Sequence, residues 1–355
     1  MAKLPPGHEK SKWNAELVSG GLDHESRGKI REGFGDSSDP ERLLFLATDG
    51  ISIFNFVLPA EVQRKGEVLT NLSHFVATNI LQDFASDMIL PELDPSHTAI
   101  QIRWQAVHPD IPWERCTLVN RREVEPIEAI LRRHPGGSIW DGYLEDGIVA
   151  GQKLSPGLTK WQQLSRAVFT PTDKSEDDDP LTIQEFLAKN PEYGQLVIDV
   201  MDEAHILVYE YFRRRGIRIL DTKKEYSIDR AATEPRRTIV LVDEKYTPDS
   251  SRFVEEGNWR ETLGTDNDPA FQDKEKVRIW GKGIKTPFEK DGEQIVGLHK
   301  LKGSNPEHVA FVHGLTVPKD LLQETSEIYL HIFEKAVGAD LDAYLDARKI
   351  KRKTV

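Results

Sequence analysis

Residues 217–253, IRILDTKKEYSIDRAATEPRRTIVLVDEKYTPDSSRF, constrain this chain more than any other stretch. Residues 217–220 and Ile239–Val242 are β-branched and aliphatic, while 229–237 carries turn formers and charge, so the pattern predicts two strands joined as a hairpin. Side chains alternate faces along a strand, which puts Asp221, Lys223 and Glu225 on the face that Ile217 and Ile219 begin. Asp243 follows in the same way from Ile239 and Leu241. A register that brought those faces together would let Glu225 and Asp243 share a Mg2+ while Lys223 meets a phosphate. An exposed hairpin with ordinary cross-strand salt bridges would show the same alternation.

At 355 residues the chain can fill one large domain or two lobes. Its 38% hydrophobic and 30% charged residues make a globular balance. A net charge of −12 argues against a nucleic-acid binder, because such affinity comes from clustered Lys and Arg; small anionic ligands need local basic pockets instead. One cysteine, Cys116, excludes an internal disulfide and fits a reducing compartment. No run approaches the roughly 18 apolar residues of a membrane span, so a soluble, cytoplasmic protein with no membrane partner is expected. Neither an internal repeat nor zinc-ligand spacing occurs among the 11 histidines.

The remaining segments fall in order. Residues 1–26 read as a variable leader. Gly28-Lys29-Ile30-Arg31 would let a hairpin close over a polyphosphate, with Lys29 and Arg31 projecting the same way, although a plain surface turn has the same composition. Residues 66–84 repeat apolar positions at helical spacing, and residues 99–118 alternate as a strand would. Residues 190–216 predict a long helix with Leu196, Val200, Ala204, Leu207, Val208 and Tyr211 buried, and with His205 a core or surface histidine rather than a ligand. Residues 176–179 are an acidic run, which by itself is a solvated one.

DTKKEY and LVDEKYTPDSSRF resemble the DTKFEFG and LVDEVLTPDSSRF signatures of the phosphoribosylaminoimidazole-succinocarboxamide (SAICAR) synthetase family. The likeness continues through 28–35 (the family's GKVRDIYE), 47–55 (ATDRISAFD), 126–132 (PIEFIVR), 169–180 (FTPSTKAEEGHDE), 273–280 (DKQFLRDWL) and a closing helix over 317–338. It implies an α+β fold of two lobes, each with an antiparallel sheet, and ATP between them. The lobes would be 27–122, covering the nucleotide, and 123–340, holding substrate and metal, with an insertion at 281–314 and a basic tail at 341–355.

The implied activity is ATP-dependent ligation of L-aspartate to the carboxylate of carboxyaminoimidazole ribotide through an acyl phosphate, with ATP and Mg2+ required. By the same resemblance Lys29, Arg31 and Lys223 meet ATP phosphates, and Glu225 and Asp243 hold Mg2+. Arg132, Ser138, Ser251 and Arg252 take the ribose phosphate, with Asp249 orienting their loop and Lys274 and Arg278 as further anion contacts. Lys174 and Asp179 join Lys223 as catalytic candidates. Departures at Gly50, Asn55, Thr172, Asp173 and Asp178, where the family has arginine, aspartate, serine, threonine and histidine, raise a different carboxylate or amine as the alternative. A non-catalytic nucleotide-binding scaffold is opposed by the intact Lys223, Glu225 and Asp243. The oligomeric state stays open.

Overall fold

Antiparallel pairing organises both of the compact units into which the chain divides, as seen in a computed structural model that describes residues 12–175 and 179–350. The first unit takes in the described residues up to Asn71, Ile89–Arg121 and those from Asp273 onward; the second holds Leu72–Met88 and Arg122–Gln272. Both carry the antiparallel sheet that the resemblance implies.

In the first unit Asp23–Arg27, Arg31–Gly35, Arg42–Ala47 and Cys116–Asn120 pair in that order. Phe34, Leu44, Leu46 and Leu118 turn inward onto Trp13, Leu17, Trp104 and Ile111. A second core joins the hairpin Gly50–Ile53 and Phe56–Glu61 to Val277, Leu298, Leu301, Val309 and Val312. That burial draws Asp273 and the residues after it into the first unit, whereas the reading from sequence grouped 123–340 as one lobe. Within 281–314 Lys285–Lys290 and Glu293–Val296 pair as a hairpin.

Residues 99–118 do not form the expected strand throughout: His97–Val107 is a helix, followed by the strand Cys116–Asn120. Alternation misleads there because the helix buries only Trp104 and leaves Ile102 and Val107 exposed.

The second unit is built on Ile217–Ile228, which pairs along one edge with Ile127–Arg132 and along the other with both Ser251–Glu255 and Ile239–Val242. The hairpin forms, but its pairs run from Glu225 to Ile228; the residues before them pair with Ser251–Glu255. Helix Gly194–Arg213 covers one face, and its Phe212 stacks on Phe253 with centroids 5.3 Å apart. The buried stripe is rotated by about a residue from the expected one. Val197, Met201, His205, Tyr209 and Phe212 are buried with Val200, Ala204 and Val208, while Leu207 is exposed.

His205 is fully buried, as is His134, whose Nδ1 lies 2.9 Å from the Trp161 carbonyl oxygen and Nε2 3.0 Å from the Tyr209 hydroxyl. Burial above all holds His134 down to about 4 and His205 to about 3 from an ordinary 6.5. A histidine with a depressed folded pKa stays neutral while the unfolded chain takes up its proton, so its stabilisation is complete above pH 6.5 and is lost as pH falls. Between pH 6 and 4 unfolding free energy should therefore fall by about 2 kcal/mol per pH unit for the pair, most steeply near pH 5, after the other groups' common slope is subtracted. Urea titrations across that range, with His205→Phe halving this contribution, check it.

Candidate active site

One irregularity on the central strand sets the polar face. Ile219 pairs with Phe253 and Asp221 with Arg252, so one extra residue, Leu220, bulges from Ile217–Ile228. Neighbours on a strand point to opposite faces, so Phe253 and Ile219 look toward the helix while Arg252 and Asp221 look away from it. The expectation that Asp221, Lys223 and Glu225 share the face of Ile217 and Ile219 is therefore corrected: the bulge moves all three to the opposite face.

Asp221 is flanked in register on both sides, by Arg132 across one edge and Arg252 across the other. Arg132 Nη1 donates to Asp221 Oδ2 at 3.0 Å and Nε to Thr170 Oγ1 at 2.9 Å. Arg252 Nε donates to Asp221 Oδ1 at 2.9 Å, with its Nη2 on Oδ2 as well. Two guanidinium groups against one carboxylate leave one positive charge on this cluster. Burial first, and then the charge of Arg252, lower the pKa of Arg132, opposed by Asp221.

The Gly136-Gly137-Ser138 turn closes against the pair. Gly137 has φ +60°, and a Cβ there would lie 2.8 Å from Arg252 Nη1; a Cβ on Gly136 would lie 2.4 Å from the Trp161 ring. Only glycine lets this backbone come so close. Ser138 is exposed in the short turn Gly137–Ile139. Ser251 lies elsewhere: it pairs with Thr222 on the helix side, and their hydroxyls are 2.8 Å apart. Asp249 sits in the preceding turn, its N–H 3.3 Å from Thr247 Oγ1.

Further along the same face Lys223 reaches Glu128 Oε1 at 2.7 Å, and Lys174 reaches Glu225 Oε2 at 2.9 Å. Glu225 is opposite Val242, so continued alternation would turn Asp243 to the other face. Asp243 instead adopts φ +57°, a left-handed conformation that ends the strand. Its charge acts on Glu225: burial and then Asp243 push the Glu225 pKa up, while Lys174 opposes them. Two carboxylates that repel each other, close to bound cationic side chains, fit Mg2+, which takes one or two carboxylates together with phosphate oxygens. Among the described residues no cluster of three or more His, Cys, Asp or Glu could hold a metal by protein ligands alone.

The 172–179 segment separates its residues. Thr172 pairs with Glu128 and shares its face, with Oγ1 buried and without a hydrogen bond; Asp173 pairs with Ile127 and faces the other way. The Asp173 carboxylate accepts the Ser175 N–H at 3.0 Å, and the Ser175 hydroxyl and N–H beside it hold its pKa low. Asp179 is exposed and bonds the Ser175 hydroxyl at 3.2 Å. Glu176, Asp177 and Asp178, most of the acidic run, lie outside the described residues.

The other candidates belong to the first unit. Lys29 and Ile30 form the turn between Asp23–Arg27 and Arg31–Gly35, so strand alternation does not govern Lys29, whose Nζ meets Asn55 Oδ1 at 3.4 Å. Arg31 opens the second strand of that hairpin. Lys274 is buried at the start of helix Glu275–Lys282, and Arg278 pairs with Glu275 at 3.0 Å. Asp221 and Glu128 were missed as site residues, although the alternation through Asp221, Lys223 and Glu225 and the Pro126-Ile127-Glu128 motif carried the signal.

An antiparallel α+β fold that sets an arginine pair, a lysine and two carboxylates along one strand face has the equipment of a phosphoryl-transfer enzyme, whose work is positioning and charge stabilisation. The SAICAR synthetase family pattern matches residues 24–295. The phosphoribosylaminoimidazole-succinocarboxamide synthase of Halorhodospira halophila is 32% identical over 263 residues, 71% of this chain and 80% of that protein. A solved structure of the SAICAR synthase of Saccharomyces cerevisiae complexed with SAICAR superposes with a TM-score of 0.69 at 26% identity, covering 91% of this chain and 97% of that one. A type-2 SAICAR synthetase in complex with ADP shares the fold, with a TM-score of 0.56 at 16% identity over 89% of this chain and 98% of that one. The chain belongs to the SAICAR synthetase family, which ligates aspartate to carboxyaminoimidazole ribotide at the expense of ATP.

The Asp221 cluster predicts its own energetics. Asp221→Asn leaves the buried Arg132 without a counter-charge and should destabilise the protein by roughly 3–5 kcal/mol in urea unfolding. Arg252→Met, which removes the more exposed cation, should cost less.

Proposed function

We propose that this chain performs the family reaction itself, joining L-aspartate to the carboxylate of carboxyaminoimidazole ribotide. A ribotide carboxylate oxygen attacks the γ-phosphorus, ADP leaves, and the aspartate amine displaces phosphate from the acyl carbon while losing a proton. What most supports this is the alternation of Asp221, Lys223 and Glu225 along one face, which spaces an anion clamp and a metal-binding carboxylate on one rigid strand.

Arg132 and Arg252 are assigned to the ribose phosphate, where planar guanidinium forks bond oxygens in pairs. Gly137 and Ser138 complete that pocket, and Ser251, whose hydroxyl meets that of Thr222, stays assigned to it by resemblance alone. Lys223, with Lys29 and Arg31, is assigned to ATP phosphates. Glu225 and Asp243 would hold Mg2+, which when bound neutralises charge on the transferring phosphoryl group. Lys174, paired with Glu225, supplies a further cation there, and Asp179 orders the turn behind it. Lys274 and Arg278 remain anion contacts assigned by resemblance. A cytoplasmic location accords with a biosynthetic role; among the described residues no helix is long and apolar enough to cross a membrane.

The orientation of Asp173 removes one objection to a dicarboxylic amine, since its charge is directed away from the Glu128 face. Asn55 keeps a second reading in view, because an amide bonded to Lys29 cannot attract an ammonium as a carboxylate does. A panel of amino acids and amines with ATP and the ribotide decides between them: succinocarboxamide formed from aspartate supports the family reaction, and turnover of another amine with aspartate ignored overturns it. Glu225→Gln and Asp243→Asn should each lower ATP turnover by about two orders of magnitude with little change in urea midpoint. Full turnover in both at saturating Mg2+ would leave the two carboxylates a structural role only.

A further inference from the structure

Beneath the Asp243 turn lies an ion pair that the proposed reaction does not use. Lys245 is 1% exposed and Asp87 4%, and Lys245 Nζ meets Asp87 Oδ1 at 3.2 Å. The same ammonium donates to the Asp243 carbonyl oxygen at 3.1 Å. The Asp243 carbonyl is thus held by a buried pair. The pair is itself anchored at both ends. Asp87 N–H donates to the Leu241 carbonyl at 3.2 Å, and Leu241 N–H to the Ala85 carbonyl at 2.9 Å, so residues 85–87 lie along the outer edge of Ile239–Val242. Lys245 N–H donates to Ser73 Oγ at 3.0 Å.

The conformation being held is an unfavourable one. Asp243 has φ +57° and Tyr246 φ +57° on either side of Lys245, and each left-handed non-glycine residue costs of order 1–3 kcal/mol that its surroundings must offset. That same conformation departs from the alternation that would carry the Asp243 carboxylate to the face away from Glu225. Lys245 stands where the quoted family signature has valine, so apolar residues are a natural replacement with which to test the pair.

We propose that the buried Lys245–Asp87 pair is a positioning device for metal binding: by holding the Asp243 carbonyl from the interior it fixes the left-handed turn that sets the direction of the Asp243 carboxylate. The inference rests on the assignment of Glu225 and Asp243 to Mg2+. Its natural consequence is that metal affinity is set in part by residues that never touch the metal, as partners behind a ligand do elsewhere.

The test is direct binding of Mn2+, followed by electron paramagnetic resonance, to the full chain with a non-hydrolysable ATP analogue, alongside nucleotide binding without metal. Asp87→Leu combined with Lys245→Met replaces the pair by apolar groups of similar volume, which often preserves stability, and circular dichroism with urea unfolding confirms the fold. The expected result is Mn2+ affinity about tenfold or more below wild type with metal-free nucleotide affinity retained. Asp87→Asn combined with Lys245→Met, which keeps the Asp87 shape and leaves no unpaired charge, should show a loss in the same direction and serves if the first double variant does not fold. Mn2+ binding within about twofold of wild type in a folded variant overturns the proposal. Asp243→Asn, measured in parallel, separates the two levels: if it leaves Mn2+ binding intact, the metal assignment fails, and if it weakens binding while the pair variants do not, only the positioning role fails.

Discussion

The bulge at Leu220 is the constraint on which the second unit depends. The strand Ile217–Ile228 is too long to be uniform: its first half must bury Ile217 and Ile219 against the helix, and its second half presents Asp221, Lys223 and Glu225 away from it. A regular strand beginning with Ile217 would have sent those charges into the helix-side core, where unpaired burial is prohibitively costly. One inserted residue reverses the alternation, and the polar face follows from it.

Charge on that face is arranged in compensated groups rather than as bare cations. Asp221 serves Arg132 and Arg252, Glu128 serves Lys223, and Lys174 serves Glu225. Such pairing keeps the arginines and lysines ordered, so an anion bound there as proposed would cost less conformational freedom. The clamp retains a net positive charge, and the Gly137 backbone packs directly against it. Preorganisation of this kind suits a reaction in which no side chain forms a covalent bond and positioning supplies the rate.

The helix side carries an unusual share of polar groups for a core. His205, Tyr209 and Lys224 are buried there, His134 and Arg218 both reach the Tyr209 hydroxyl, and Lys224 Nζ sits 3.6 Å from the centroid of the Tyr246 ring. Arg218 is paired with Glu256 and lies over the Trp259 ring, its centroid distance 4.3 Å. These contacts give buried cations aromatic faces and carboxylates in place of water.

The sequence by itself determined the family, the hairpin, the long helices and the residue types on the site strand, because these are carried by short motifs and local periodicity. The motifs that carry Lys223, Glu225, Arg132 and Arg252 were legible in this way, each a few residues long. The tertiary structure decided the rest. Pairing register placed the bulge, which fixed the face of Asp221 and sent Ser251 and Asp173 to the sides opposite those of Arg252 and Glu128. Burial of Val277, Leu298 and Val309 on Ile53 and Phe56 drew the C-terminal segment into the first unit. A pair separated by 158 positions, Asp87 and Lys245, pinned the turn at Asp243. Local patterns record which face a residue prefers relative to its neighbours, but not which distant strand, helix or charge will meet that face. One extra residue, invisible to alternation, was enough to exchange the two sides of the sheet.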